Sequence, residues 1–167
     1  AAGPRGGVAG PARVAANRAR GLEPVRPGRC VSAQNPAVFV PAREAGHSFY
    51  DAVTSAVQAS MDRLAELTGR RYHLVDYHGA PDADRVIVLM GSGAGAVKET
   101  VDELCRRGER VGVAVIRLFR PFPTEALLAA LPPSTRTVIV LDRTKGPGAP
   151  FQPLPPEVLA ALGASRA

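Results

Sequence analysis

Gly91-Ser92-Gly93-Ala94-Gly95-Ala96 is the stretch whose residue types and spacing have the most chemical promise. It fits G-x-G-x-x-G/A, the turn that cradles the pyrophosphate of a dinucleotide. Small residues there let backbone approach a phosphate, and amides opening a helix favour an anion. In that reading the next strand ends in an acid that holds a ribose hydroxyl. Here it ends near Arg117 and Arg120, which would suit the 2′-phosphate of NADP instead. The competing reading, which we weigh more heavily, is a tight strand-to-helix turn that needs small residues for packing. Strand ends of such a sheet converge on one edge, so Ser92, Arg120, Asp142 and Arg143 are expected together beside the amides of the following helix. Between binding an anion and bridging to a neighbouring domain, those charges favour the second. Gly91, Ser92, Gly93, Arg120 and Arg143 are thus the weak candidates for cofactor contact, and no catalytic or metal-binding residue is assigned.

The remaining reactive residue types form no constellation. His47, His73 and His78 have no pairing spacing, and none is matched with a candidate Ser or Cys nucleophile. Cys30 and Cys105 make no metal motif; two such cysteines suit a reducing cytoplasm, and Cys105 reads as a buried thiol on an apolar helix face. There is no GxxxxGK[ST] loop.

The elements that must position these groups follow from periodicity. Residues 86–90 are an unbroken apolar run with β-branched residues, which predicts a strand buried on both faces. From Ala94 the period changes: Val97, Val101, Leu104 and Cys105 share one helical face, and Gly108 ends it. Residues 110–118 and 137–141 repeat the buried-strand pattern. Between them, Thr124 is expected to cap a helix over 125–131 that Pro132 and Pro133 stop. Pro156 is expected to start a last helix over 157–162, and 72–77 reads as a strand. Upstream, Ser48 and Asp51 resemble a capping box for one long helix. Its stripe of Phe49, Val53, Ala56, Val57, Met61, Leu64 and Leu67 is expected in the core, with Gly69 as its stop. Strands alternating with helices imply an α/β fold: three layers, αβα, around a mostly parallel sheet with right-handed crossovers.

The N-terminal part reads differently. Residues 1–12 lack any period and are expected to be disordered. A short helix is expected at 14–20, an extended path around Pro24, Pro27 and Gly28, and a brief extended piece at 38–40 between Pro36 and Pro41. The division is therefore a disordered or extended segment, 1–45, and an α/β domain, 46–163. The chain opens with Ala rather than Met, and we expect a piece of a longer protein. Residues 1–30 contain no secretory pattern, and no apolar stretch approaches the ~18 residues that span a bilayer.

The charge of +6 over 167 residues hints at nucleic acid, but its distribution argues otherwise. Arg5, Arg13, Arg18, Arg20, Arg26 and Arg29 against Glu23 put +5 into the first 30 residues, leaving the rest nearly neutral. No aromatic is interleaved with those arginines to stack on bases. Nucleic acid and membrane are both disfavoured as partners.

Several segments together resemble pyruvate:ferredoxin (flavodoxin) oxidoreductase. They are Ser32-Ala-Gln-Asn-Pro-Ala-Val-Phe39 with Ala42-Arg-Glu-Ala45, residues 72–77 leading into 79–94, Arg117-Leu-Phe-Arg-Pro-Phe122, and Asp142-Arg-Thr-Lys145. The resemblance covers about 14–162. It implies that the chain closes the family's first, thiamine-fold domain and forms a second one similar to the C-terminal domain of transketolase. It further implies a large cytoplasmic oxidoreductase, a homodimer, that decarboxylates pyruvate on thiamine diphosphate, passes electrons through iron–sulfur clusters to ferredoxin or flavodoxin, and makes acetyl-CoA with coenzyme A. The thiamine-pocket and cluster-cysteine motifs are not in this stretch, so the chain by itself is expected to be inactive and to bind no cofactor. The alternative is a free-standing NADP- or nucleotide-binding α/β module.

Overall fold

The computed structural model describes residues 36–164, together with the single positions Ala12 and Ala15. The expectations for 1–12, 14–20 and 24–28, and for Cys30, otherwise fall outside these residues. The chain divides into two compact units, Ala1–Ala45 and Gly46–Ala167.

In the first unit the piece expected to be extended is helical instead: α1 spans Pro36–Ala45. Pro36 takes the first helical position, where its missing N–H is no loss and its fixed φ suits the helix. Pro41 removes one backbone bond, and Ala37, Ala42, Arg43, Glu44 and Ala45 are good helix formers that outweigh it. Arg43 also lies over the Phe39 ring, 5.1 Å from its centroid, one turn away.

In the second unit the single long helix is two. α2 covers His47–Asp51 and α3 covers Val53–Thr68. Gly46, not Ser48, stands at the N-cap of α2, and no side chain caps it. At the junction the hydroxyls of Thr54 and Ser55 donate to the carbonyls of Asp51 and Ala52, at 3.5 and 3.0 Å. Such back-bonding competes with the helix ladder. Gly69 ends α3 at φ 72, as its position suggested. The apolar stripe does not become core: α3 buries no residue, and Leu67 is 79% exposed. A polar clamp holds the helix instead. The Gln58 amide donates to Tyr72 O at 3.2 Å and accepts from Leu74 N at 3.1 Å.

Four strands form one sheet: β1 Val75–Gly79, β2 Arg85–Met90, β3 Val111–Ile116 and β4 Thr137–Leu141, in the order β1-β3-β2-β4. β2 runs parallel to both β3 and β4, and β1 is antiparallel to β3. β1 starts three residues later than its pattern suggested: His73 N donates to the Asp76 carboxylate and Leu74 N to the Gln58 amide oxygen, while the Leu74 carbonyl accepts from Arg117 N at 2.9 Å just past the end of β3.

α4, Ala94–Arg106, covers one face of the sheet, while α5, Thr124–Ala130, and α6, Leu154–Ala164, pack on the other. Strand alternation divides the core. Ala114 and Ile116 of β3 join Val86, Val88, Leu127, Leu154 and Val158, while Val111, Val113 and Val115 join Leu89 and Val101. All six residues of β3 are buried, which explains its continuous apolar run. Thr124 begins α5 without capping it by its side chain. α6 starts two residues before Pro156, because Leu154 N donates to the Asp142 carboxylate at 3.0 Å and the two prolines fall in the first turn, where no N–H is missed.

One close approach fixes the seating of β1. Gly79 faces Gly112 in the β1–β3 ladder. A Cβ on Gly112 would lie 2.1 Å from the Tyr77 hydroxyl, so the ring of Tyr77 occupies the space a side chain would need. The hydroxyl donates to Ala80 O at 2.5 Å. Partial burial, then the nearby Cys105 and Asp82 charges, raise the Tyr77 pKa above its ordinary value.

Candidate functional site

The order β3-β2-β4 means that the β2-to-β3 and β3-to-β4 crossovers run in opposite directions along the sheet. The carboxyl ends of β2 and β4 therefore flank a point where strand order reverses, the usual ligand position in open α/β sheets. A crevice of about 470 Å³ lies there, lined among others by Ser92, Gly93, Leu141, Asp142, Arg143 and Gln152. Three of the four residues expected to converge on this edge thus share one cavity.

The glycine turn is a single 3₁₀ turn, Gly91–Gly93, that feeds directly into α4. Gly91 has φ +79, which a side chain adopts at a penalty. Gly93 has φ −66, and a Cβ on it would meet only Leu89 Cδ1, at an ordinary 3.7 Å. A β-branched residue at Gly93 is therefore not excluded by backbone contact, contrary to what close strand-to-helix packing suggested. The position that needs glycine is Gly91.

Asp142 is engaged in holding the chain rather than facing a ligand. One carboxylate oxygen accepts from Thr144 N at 2.9 Å and the other from Leu154 N at 3.0 Å. It shapes its own loop and caps α6 in one stroke. Arg143 is exposed.

Arg120 departs from the expected cluster. Its Nη2 and Nε donate to Glu157 of α6, at 2.7 and 3.2 Å, and its guanidinium lies 5.1 Å from the Phe119 ring. Its strand, β3, adjoins β2 on the side away from β4, which separates it from Asp142 and Arg143. Arg117 is engaged too. Its Nε donates to Asp76 at 2.6 Å and its guanidinium stacks 4.4 Å from the Tyr72 ring centroid. Both arginines that would have suited a 2′-phosphate therefore serve internal pairs.

Asp76 is the most connected acid of the β1 edge. It accepts from Arg117 Nε, from His73 N at 3.2 Å and from the His73 ring, whose Nδ1 lies 2.9 Å away. Partial burial opposes its ionisation, but these bonds and the Arg117 charge outweigh it and hold the carboxyl below its ordinary value. No pattern along 72–77 announces this cluster, because Arg117 is 41 residues away. Gln58 was equally silent: a polar residue on an amphipathic helix reads as solvated. Asp142 gave a faint signal, since an Asp two residues before a loop Thr is a frequent turn former.

The histidines remain apart. His47 is 3.9 Å from Asp51, and His78 Nε2 is 2.7 Å from Asp102 on α4. Among the described residues no group of three or more His, Cys, Asp and Glu is placed to hold a metal, and no helix is long and apolar enough to cross a membrane. Cys105 is half-buried, with its thiol donating to Val111 O at 3.5 Å.

Known oxidoreductases share much of this chain's sequence. It is 55% identical over 154 residues to a pyruvate-flavodoxin oxidoreductase of Rhodospirillum rubrum, covering 92% of this chain and 13% of that protein. It is 49% identical over 150 residues to the pyruvate-flavodoxin oxidoreductase of a Nostoc species, covering 90% and 12%. A pyruvate:ferredoxin oxidoreductase of Moorella thermoacetica is 47% identical over 149 residues, covering 89% and 13%. The chain thus spans about an eighth of the length of these curated relatives. Likeness to segments of large oxidoreductases, together with the paired state of Arg117 and Arg120, sets aside the free-standing NADP- or nucleotide-binding module. The family described as pyruvate:ferredoxin oxidoreductase core domain II matches residues 83–167, half of the chain, and the chain belongs to that family.

Proposed function

We propose that this chain is a non-catalytic α/β domain of a thiamine diphosphate-dependent pyruvate:ferredoxin/flavodoxin oxidoreductase. That enzyme would oxidatively decarboxylate pyruvate to acetyl-CoA in the cytoplasm, as a homodimer, and hand the electrons to ferredoxin or flavodoxin. Residues 46–163 would be the domain itself and 1–45 the end of the preceding one. The observation that carries the reading is the 55% identity to the Rhodospirillum rubrum pyruvate-flavodoxin oxidoreductase across 92% of the chain.

The local chemistry supports a structural part in it. A cubane or two-iron cluster takes four protein ligands, mostly thiolates. The chain has two cysteines, and Cys105 faces the backbone of Val111. The clusters would therefore be held elsewhere in the enzyme. Of the charged groups after the strands, Arg117, Arg120 and Asp142 hold other parts of the chain, leaving them little freedom to follow a reacting substrate.

The test is direct. The purified chain is supplied with thiamine diphosphate, magnesium, pyruvate and coenzyme A, with methyl viologen as electron acceptor. Dye reduction is expected to stay at background. Pyruvate-dependent reduction above background by the chain alone would overturn the reading.

A further inference from the structure

We draw no further inference here: the strongest candidate, the crevice of about 470 Å³ between the carboxyl ends of β2 and β4, rests on the N-terminus of α4 beside one exposed arginine, Arg143, with no second observation that points to a ligand.

Discussion

The two edges of the sheet are finished in opposite ways. At the β1 edge, Asp76 binds Arg117 and His73, Arg117 lies on Tyr72, Gln58 clamps the backbone on either side of His73, and Tyr77 fills the space above Gly112. At the β4 edge, Ile139 and Leu141 are 45% and 46% exposed, and on the α6 side, beside Val138 and Val140, Phe151 and Leu159 are 66% and 72% exposed. An apolar groove of about 350 Å³ runs there, lined among others by Val138, Val140, Phe151 and Val158. Both strands are outermost in the sheet, so among the described residues neither edge is covered by a further strand. The difference teaches that a sheet edge can be closed by specific polar bonds from a helix that buries nothing of its own. Where such bonds are lacking, apolar side chains stand in water although the strand pairs well on its inner side.

If the β1 edge is seated as tightly as this, a large loss should come from Gly112→Ala. The added methyl would meet the Tyr77 ring, whose atoms lie 2.1–2.7 Å from its position. Overpacking of this kind costs about 1–3 kcal/mol, and the upper part of that range is expected because the ring is tethered by its bond to Ala80. Urea titrations should show the loss, and Tyr77→Leu added to Gly112→Ala should recover part of it. An unchanged midpoint for the single variant would mean that Tyr77 has room to swing aside and that β1 is loosely held.

A smaller loss is expected from Asp76→Asn, about 1 kcal/mol, since hydrogen bonds to a charged group are worth more than neutral ones and solvent screens this partly exposed site. Its pH dependence gives the sign. The folded-state carboxyl titrates below the ordinary 3.8, so its stabilisation is fully present above 3.8 and is lost as pH falls from there through the lower folded-state value. Melting temperatures of wild type and Asp76→Asn should differ at pH 6 and converge toward pH 3. A gap that persists unchanged at pH 3 would show that the ionised carboxylate is not what stabilises this edge.

The contrast between the edges also marks what local pattern can and cannot convey. The succession from β2 to β4 was legible because each strand is a short apolar run and each helix has a dense stripe, and both signals are written in neighbouring residues. The antiparallel direction of β1 was not, because it depends on which strand β1 meets. The α3 stripe misled for a related reason: Leu64 and Leu67 show which face is apolar, not whether anything lies against it. At 36–45 two prolines were given more weight than the helix formers around them. In the candidate site, Ser92, Asp142 and Arg143 were brought together by the general rule about strand ends. Arg120 escaped that rule because its partner, Glu157, comes from a helix 37 residues later.

The turn between the edges serves as an internal control. Gly91→Ala should destabilise by about 1 kcal/mol, because alanine resists φ +79 even though a Cβ there meets no atom within 4 Å. Gly93→Ala should be neutral or slightly stabilising, since its φ of −66 is open to any residue and alanine narrows the unfolded ensemble. Thermal melts of the two variants side by side would decide it, and equal losses would mean that packing against Leu89, not backbone conformation, governs the turn.

The smallest effect on stability, and the sharpest test of the contrast, belongs to the β4 edge. In a parallel pair, residues that bond to the neighbouring strand alternate with residues whose N–H and C=O point away. Thr137 N donates to Asp84 O on the β2 side, so Val138 and Val140 turn their backbone groups outward, next to the apolar groove. Lysines and prolines commonly guard such edges, and Thr137–Leu141 contains neither. Ile139→Lys places a charge on this edge at a position that is already nearly half exposed, so the melting temperature should move little, by the equivalent of less than about 0.5 kcal/mol. Self-association of the purified chain should fall, read as a weaker concentration dependence of its sedimentation coefficient. Thr54→Lys on α3, near the polar-clamped β1 edge, should leave that dependence as it was. If both lysines act alike, net charge rather than an open edge controls association, and the two sides of the sheet differ less than their side chains suggest.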